Sequence, residues 1–140
     1  MPYEVNRYNL KGKMFLKTNG KYYAVDIGLR NILVKSSESD IGHILENIVF
    51  LELKHRGNEV YVGHLDDAEI DFVAQYDGKT AYYQVSASTL DENTLKRELA
   101  PFKKVNDNYP KYLLTLDEVF ATADYDSIKK LNVLDWLLDR

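Results

Sequence analysis

The stretch AEIDFVAQYDGKTAYYQVSAS, residues 68–88, constrains the fold most, because two strand-like runs flank a tight-turn dipeptide. β-Branched and aromatic residues are enriched on both sides of Asp77-Gly78, and Asp-Gly is a favoured pair for a two-residue hairpin turn. With the turn there, Tyr76 pairs with Lys79, and Asp71 lies opposite Gln84. We therefore expect an antiparallel sheet built around this hairpin.

The same register divides the hairpin into an apolar and a polar face, since side chains alternate along a strand. The apolar face takes Ile70, Phe72, Ala74, Ala81, Tyr83 and Val85, and the polar face takes Glu69, Asp71, Gln84 and Ser86. Opposed side chains have Cβ atoms about 4.5–5.5 Å apart. Aspartate is depleted inside strands, so the polar face is a candidate site; a plain solvent-facing surface is the alternative.

The flanking segments predict helices packed on the sheet. Asp40 is expected to cap a helix that ends at Gly57, with apolar residues on one stripe: Ile41, Ile44, Leu45, Ile48 and Val49. Strands at 59–65, 69–75 and 80–88 form an antiparallel meander. A second helix over 91–105, bent or shortened by Pro101, precedes a short buried strand at 111–118 and a closing helical turn anchored by Trp136. The order helix, meander, helix, strand predicts an α/β fold.

The N-terminal part differs in charge from the rest. Residues 1–35 carry seven Lys and Arg against two acids, whereas residues 36–140 carry eleven against twenty. Asn19-Gly20 predicts a hairpin in residues 13–26, and the polar run KSSESD predicts a linker, so we expect a unit at 1–35 and a second at 40–140. An isolated hairpin is only marginally stable. It is therefore expected either to dock on the rest of the chain or to belong to a longer protein.

Several functions are excluded or disfavoured by what the sequence lacks. It has no cysteine, hence no disulfide, thiolate nucleophile or cysteine-based metal site. The absence of a long apolar run and of a secretory leader predicts a cytoplasmic location without a membrane partner. No G-x-x-x-x-G-K-[ST] motif occurs, so the chain has no P-loop ATP site. The serines near residue 37 have no histidine at a triad spacing, and a polar loop is favoured over a metal ligand set at residues 64–67.

The motifs resemble a known group of nucleases. GHILE at 42–46 on the first helix, EID at 69–71 and YQVS at 83–86 resemble the PD-(D/E)xK superfamily, which implies a restriction-endonuclease-like core. The phrases KYYAVDIGLRN, GHILENIVFLEL and NYPKYLLTLDE are similar to the C-terminal domain of bacterial and archaeal AAA-type ATPases. The resemblance implies that residues 1–35 connect to an ATPase and winged-helix region, which would be a partner of this domain.

The resemblance also implies site residues. Glu46 matches the helix-borne acid, Asp71 the metal-binding aspartate, Gln84 the second acid and Ser86 the lysine. Mg²⁺ or Mn²⁺ would be held by Glu46, Asp71 and the Gln84 carbonyl, a set of oxygen ligands that suits hard cations. Glutamine removes one negative charge and serine cannot replace the ammonium group. Lys96 or Arg97, on the next helix, would have to supply the cation or contact nucleic acid.

These departures predict a degenerate nuclease-like domain that contacts DNA or a partner protein. Two alternatives remain open: an active Mg²⁺- or Mn²⁺-dependent DNA phosphodiesterase, and a protein interaction module with no role in nucleic-acid binding. Assembly of the chain into a homo-oligomer is also left open. Glu52 is expected to be buried, with an ion pair to Lys54 or Arg56 disfavoured by the spacing, and it competes with Glu46 for the site.

Overall fold

A computed structural model describes residues 37–139 as a mixed α/β domain with a six-stranded sheet and three helices. The predicted N-terminal hairpin and the unit at 1–35 lie outside the described residues. None of the helices within 37–139 is long and apolar enough to span a membrane. The elements are α1 (Glu38–His55), β1 (Glu59–Leu65), β2 (Ala68–Tyr76), β3 (Lys79–Val85), α2 (Glu92–Lys103), β4 (Lys111–Thr115), β5 (Ala123–Tyr125), β6 (Ile128–Asn132) and α3 (Val133–Leu137).

The predicted order of helix, three-strand meander, helix and strand is confirmed. The strands lie in the order β1-β2-β3-β4-β6-β5. Strands β1, β2 and β3 are antiparallel neighbours, whereas β3, β4 and β6 run parallel. Parallel neighbours need a crossover connection, and α2 provides it between β3 and β4. The carboxyl ends of β3, β4 and β6 therefore meet at one edge of the sheet.

Helices cover both faces of the sheet, each over its own apolar cluster. On one face, Leu45, Val49 and Leu53 of α1 pack with Leu114 of β4 and Val133 of α3. On the other face, a second cluster contains Leu99 and Phe102 of α2 with Ile70, Leu113 and Ile128 of the sheet. Leu113 and Leu114 are adjacent and both fully buried, because successive strand residues point to opposite faces. The sheet is thus the middle layer of three.

A β-bulge in the meander makes one sequence prediction wrong. The β1–β2 register shifts between Tyr61 and Gly63, so that Val62 faces two residues of β2, Asp71 and Phe72. Such an extra residue interrupts the regular alternation of side chains. Phe72 consequently packs with the α1 cluster, whereas Ile70 belongs to the α2 cluster. We predicted both on one face.

The hairpin itself follows the predicted register along most of its length. Tyr76 pairs with Lys79, and the ladder continues to Phe72 and Tyr83. Asp77 and Gly78 form the turn with positive φ values of 52° and 74°, as the Asp-Gly turn requires. Strand β3 ends at Val85, three residues before the predicted end at Ser88.

The helix boundaries correct two expectations about α1, and α2 ends shortly after Pro101. Ser37, and not Asp40, caps α1, since its side chain accepts the Asp40 N–H at 3.2 Å. Part of the run KSSESD is therefore the first turn of a helix and not a linker. Pro101 lies inside α2, which continues to Lys103.

The hairpin of β5 and β6 was missed entirely. Its turn uses Asp126 and Ser127, both with positive φ values of 51° and 72°, and the Ser127 N–H donates to Asp124 Oδ1 at 3.0 Å. The turn contains no glycine, so the usual sequence signal is absent. The predicted closing helical turn is confirmed as α3.

Candidate functional site

Asp71 and Gln84 meet where the backbone ladder of the hairpin stops. Beyond Phe72 and Tyr83, side chains replace the backbone pairing of the two strands. The Asp71 N–H donates to Gln84 Oε1 at 2.7 Å, and the Val85 N–H donates to Asp71 Oδ2 at 2.9 Å. The structure therefore brings these two predicted residues together, each bound to the backbone of the other's strand.

Gln84 is held at both ends of its carboxamide. Its side chain is only 3% exposed. While Oε1 accepts from the Asp71 N–H, Nε2 donates to the Glu98 carbonyl oxygen of α2 at 3.1 Å. The second bond needs an N–H donor, which an ionised carboxylate does not have. The surroundings of residue 84 therefore suit a neutral amide.

The Asp71 carboxyl group is only weakly acidic in this environment. Burial is the main cause that raises its pKa from 3.8 to about 7, and the hydrogen bond from the Val85 N–H opposes the rise. The charges of Glu46, Glu98 and Glu69 raise it further. Near neutral pH the group is consequently divided between its protonated and ionised forms.

Glu98 is a member of this group that the sequence did not suggest. Burial raises the pKa of its carboxyl, the nearby Arg97 charge opposes that rise, and Glu46 adds to it. The charge of Glu46 on α1 therefore acts on Glu98 of α2, and both charges act on Asp71. The only hint in the sequence is that Glu98 adjoins the apolar stripe of α2, where it precedes Leu99.

The positions expected to supply a positive charge contribute little at Asp71. Ser86 is half-buried, and its hydroxyl donates to the Ser88 carbonyl oxygen at 3.0 Å. Lys96 and Arg97 are exposed on α2, and the effect of Arg97 is felt at Glu98. Within residues 37–139 the structure records no ion pair between either side chain and Asp71.

Two of the oxygen atoms expected to bind Mg²⁺ or Mn²⁺ already accept hydrogen bonds from backbone N–H groups. Residues 37–139 contain no group of three or more His, Asp or Glu side chains arranged to hold a metal. One Asp71 oxygen is used by the Val85 N–H, and the Gln84 oxygen is used by the Asp71 N–H. In the loop that offered a second ligand set, His64 lies 3.4 Å from Glu69, and Asp67 is bound to Lys104.

A second polar cluster, absent from the sequence prediction, lies at the carboxyl ends of the parallel strands. Lys130 of β6 is 1% exposed and its Nζ lies 2.7 Å from Asp117 Oδ2. The same carboxylate accepts the Thr89 N–H at 3.0 Å, and the Asp117 carbonyl accepts from Asn132 Nδ2 at 3.1 Å. Burial pushes the Asp117 pKa upward, but the bonds from Lys130, Ser88 and Thr89 outweigh it, so the pKa is lowered.

Glu52 is buried as predicted, but its expected isolation from Arg56 is wrong. The two side chains form an ion pair with Arg56 Nε 2.8 Å from Glu52 Oε2, because residues four apart are neighbours on a helix. Arg56 also stacks over Trp136, 4.3 Å from the ring centre, and donates to the Trp136 carbonyl at 2.7 Å. Glu52 therefore joins α1 to α3.

Comparison with known proteins shows that the chain is similar to a bacterial protein. The chain is 41% identical over 136 residues, 97% of its length, to an uncharacterized protein of Haemophilus influenzae. The match covers 33% of that protein, so the chain spans about a third of the length of the curated relative it matches. No family model matches the chain, and no solved structure does.

Proposed function

We propose that the chain is the nuclease-like C-terminal domain of a longer AAA-type ATPase, and that the domain has lost the chemistry of phosphodiester cleavage. It would act by contacting a partner protein. Two facts support placing it in a longer protein: the resemblance of its motifs, and a relative that extends well beyond the matched segment. The restriction-endonuclease-like core is part of this proposal.

The way Gln84 is bound carries the proposal. Cleavage of this type needs an anionic second ligand at residue 84, and the side chain there donates to the Glu98 carbonyl at 3.1 Å. A carboxylate in its place would put negative charge against a carbonyl oxygen in a site that is 3% exposed, which costs free energy. Glutamine is thus required by the packing of α2, and it does not act as a weakened metal ligand.

Among residues 37–139, no Lys or Arg side chain affects the Asp71 pKa, and this supports the same conclusion. Phosphoryl chemistry requires positive charge where the phosphate oxygens gather charge. The Ser86 hydroxyl is bound within its own segment, and Asp71 is surrounded by the carboxylates of Glu46, Glu98 and Glu69. A phosphate group brought to Asp71 would therefore meet repulsion.

A protein is the partner that the charge distribution favours. Residues 37–139 carry ten Lys and Arg against twenty Asp and Glu, a balance that repels nucleic acid. At the carboxyl edge of the sheet, Leu90, Val119 and Phe120 are 54%, 62% and 74% exposed. Leu90 and Val119 lie on either side of one hydrogen bond. Leu90 follows Thr89, whose N–H donates to Asp117, and Val119 lies two residues after Asp117. Exposed apolar groups of this kind suit a protein surface.

DNA contact is a second candidate, favoured by one observation. Residues 1–35 have five more basic than acidic residues, and clustered basic residues attract phosphate. Anisotropy of labelled duplex and branched DNA at increasing salt tests this candidate. Binding that weakens steeply with salt supports it, and the absence of binding at low salt excludes it.

A cleavage assay tests the loss of catalysis. Plasmid and branched DNA are incubated with the chain in Mg²⁺ or Mn²⁺, beside an Asp71→Ala variant. We expect no cleavage by the wild-type chain above that of the variant. Metal-dependent cleavage that disappears in Asp71→Ala would establish the active phosphodiesterase instead.

Thermal denaturation in the presence of the same cations gives an independent test. A ligand that binds only the folded state raises the unfolding midpoint. We expect the wild type and Asp71→Ala to respond equally to Mg²⁺ and Mn²⁺. A rise confined to the wild type would mean that the carboxylates close around a cation, contrary to the proposal.

Calorimetric titration tests the protein contact. The ATPase region of the longer protein is titrated with the chain, with Phe120→Ser as the variant and Asn106→Ser, an exposed polar position, as the matched control. We expect a complex that Phe120→Ser weakens and Asn106→Ser leaves unchanged. Equal affinity for both variants would exclude the carboxyl edge as the contact surface.

A further inference from the structure

A row of aromatic side chains lies on the part of the meander that α2 leaves open. Tyr61 of β1 pairs with Val73 of β2, and Val73 pairs with Tyr82 of β3. Residues directly opposite each other in a sheet have their side chains on the same face, so these three lie side by side across three strands. Tyr109, in the loop before β4, continues the row with its ring centre 6.1 Å from that of Tyr82. We call Tyr61, Val73, Tyr82 and Tyr109 the tyrosine row.

The tyrosine row is open to solvent, although it adjoins a buried cluster. Tyr61 and Tyr109 are 51% and 48% exposed, and Val73 and Tyr82 are half-buried. Helix α2 packs farther along the same face, in the cluster that contains Leu113 and borders Tyr82. Exposed apolar groups that stand next to one another mark binding surfaces, whereas single ones do not. The row is therefore a candidate surface for a ligand.

Two carboxylates hold the tyrosine rings in place. The Tyr61 hydroxyl donates to Glu59 Oε2 at 2.7 Å, and the Tyr82 hydroxyl donates to Asp107 Oδ2 at 2.6 Å. Asp107 is in turn paired with Lys111, whose Nζ lies 3.1 Å from Asp107 Oδ1, so the charge of Lys111 is already balanced. Side chains fixed before binding lose less conformational freedom when a ligand arrives. The row is thus preorganised.

An acidic cleft lies beside the tyrosine row. Its volume is about 400 Å³, and Glu59, Gln75, Asp77 and Thr80 are among the residues that line it. Glu59, Gln75 and Thr80 are opposed on β1, β2 and β3, two residues or about 7 Å along the strands from the row. No Lys or Arg of residues 37–139 lines the cleft. Its carboxylate, amide and hydroxyl oxygens suit an ammonium or guanidinium group.

The spacing of the row indicates the shape of the ligand. Neighbouring strands lie about 4.8 Å apart, so Tyr61 and Tyr82 are separated by about 9.6 Å across β2. A polyproline II helix has three residues per turn and rises about 3.1 Å per residue, hence about 9.3 Å per turn. Residues i and i+3 of such a peptide would therefore each meet a tyrosine. Proline-rich segments are recognised by grooves lined with aromatic side chains.

Single-stranded nucleic acid is the rival ligand, because bases also stack on aromatic rings. Such sites combine the rings with a positively charged groove for the backbone. Here Glu59 and Asp77 contribute negative charge to the cleft, and Lys111 is bonded to Asp107. Phosphate groups would be repelled, whereas a basic peptide side chain would be attracted.

We propose that the tyrosine row binds a proline-rich segment of a partner protein in the polyproline II conformation, and that a Lys or Arg beside the prolines enters the acidic cleft. The row lies toward the start of β4, which begins at Lys111, whereas Phe120 follows the other end of that strand. Binding at the row therefore does not depend on the proposed contact with an ATPase.

Fluorescence anisotropy with a labelled oligoproline peptide that carries an arginine at each end tests the binding in the full chain. We expect saturable binding that Tyr61→Ala and Tyr109→Ala each weaken roughly fivefold, because each removes one aromatic contact. Phe120→Ala, which removes an exposed aromatic ring at the carboxyl edge, is the matched control and should bind as the wild type does. An unchanged unfolding midpoint shows that each variant is folded.

The acidic cleft is tested separately with Glu59→Gln, which still offers an oxygen to the Tyr61 hydroxyl. We expect this variant to bind the arginine-bearing peptide roughly threefold more weakly, as for the loss of an exposed ion pair. It should bind an oligoproline peptide without arginine as tightly as the wild type does. Glu118→Gln, at an exposed position outside the row, is the control. Equal weakening for both peptides would contradict the role of the cleft.

The remaining outcomes overturn the binding of a proline-rich segment. No binding at millimolar peptide, or binding that both tyrosine variants leave unchanged, would exclude it. If labelled oligothymidine binds in place of the peptide and needs Tyr61 and Tyr109, the row is a stacking surface for single strands. If sedimentation shows a dimer that Tyr61→Ala dissociates, a second copy of the chain occupies the row.

Discussion

Asp71, half-buried in β2, and Asp117, buried two residues after β4, lie in opposite electrostatic surroundings. Asp117 is paired with Lys130 at 2.7 Å and its pKa is lowered. Asp71 has carboxylates around it, and its pKa is raised to about 7. Both accept a backbone N–H, from Thr89 and Val85 respectively, so the hydrogen bond alone does not explain the difference. The bond from Lys130 at Asp117, and burial together with neighbouring carboxylates at Asp71, account for it.

The comparison separates a structural carboxylate from a candidate functional one. A buried charge that is paired and fully hydrogen-bonded holds loops together, as Asp117 does between Thr89 and Lys130. A carboxylate with a strongly raised pKa and like-charged neighbours is typical of functional sites, although structural networks can produce it too. Asp71 therefore marks the candidate site whose catalysis we propose is lost, whereas Asp117 stabilises the fold.

The largest effect is expected from Lys130→Met. It leaves the Asp117 carboxylate buried without its cation, which should destabilise the fold by about 3–5 kcal/mol. The measurement is denaturant unfolding, and Lys129→Met, exposed on the same strand, is the control. Adding Asp117→Asn to Lys130→Met should recover part of the loss. A single variant within about 1 kcal/mol of wild type would remove the distinction between the two aspartates.

Asp71→Asn should stabilise the fold, by an amount that depends on pH. Since the pKa of Asp71 is raised from 3.8 to about 7 in the fold, its contribution to stability is complete below about pH 4 and is lost as the pH rises through about 7. Asparagine cannot ionise and still offers an oxygen to the Val85 N–H. We expect the variant to be about 2–4 kcal/mol more stable than wild type near pH 8 and nearly equal near pH 4.

Denaturant unfolding across this range checks the prediction, with Glu118→Gln, an exposed carboxylate, as the control. The stability that Asp117 contributes should vary with pH in the opposite direction. Because its pKa is lowered, Asp117 stabilises the fold at neutral pH, and this contribution is lost as the pH falls into the acid range. An Asp71→Asn effect that does not change with pH would mean that the wild-type group is ionised throughout.

Gln84→Glu should cost about 1–2 kcal/mol. The carboxylate can still accept the Asp71 N–H, but it cannot donate to the Glu98 carbonyl. Gln75→Glu, the same change at an exposed position of β2, should leave the unfolding free energy nearly unchanged. If Gln84→Glu is neutral at pH 8 and gains metal-dependent stability, residue 84 is a ligand position and the proposed loss of function needs revision.

How much of this contrast the sequence could predict depends on the range of each interaction. The hairpin register followed from Asp77-Gly78 and local alternation, so the meeting of Asp71 and Gln84 was predictable. The face of the sheet on which Ile70 lies was not predictable, because the bulge depends on the pairing of β2 with β1. The bond from Gln84 to Glu98 requires α2 to pack on that face. Local sequence patterns do not predict such contacts between separate elements.

The paired aspartate was missed for a different reason. Lys130 stands in the run IKKLN, where a lysine would be taken as solvent-facing, and its burial follows only when β6 is enclosed between β4 and β5. The β5–β6 turn has no glycine to announce it. Glu52 and Arg56, by contrast, were within reach of sequence reasoning, because a spacing of four on a helix favours an ion pair.

The smallest effect is expected from Glu46→Gln, which removes one of the negative charges that raise the Asp71 pKa. Removing one neighbouring negative charge should lower the Asp71 pKa, by less than about one unit, because burial is the larger cause and stays in place. The measurement is an NMR titration of the Asp71 carboxyl carbon, with Glu59→Gln, an exposed glutamate on β1, as the control. A pKa that falls to the usual aspartate range in Glu46→Gln would show that repulsion between carboxylates, and not burial, makes Asp71 differ from Asp117. An unchanged pKa would place Glu46 too far from Asp71 to share a site with it.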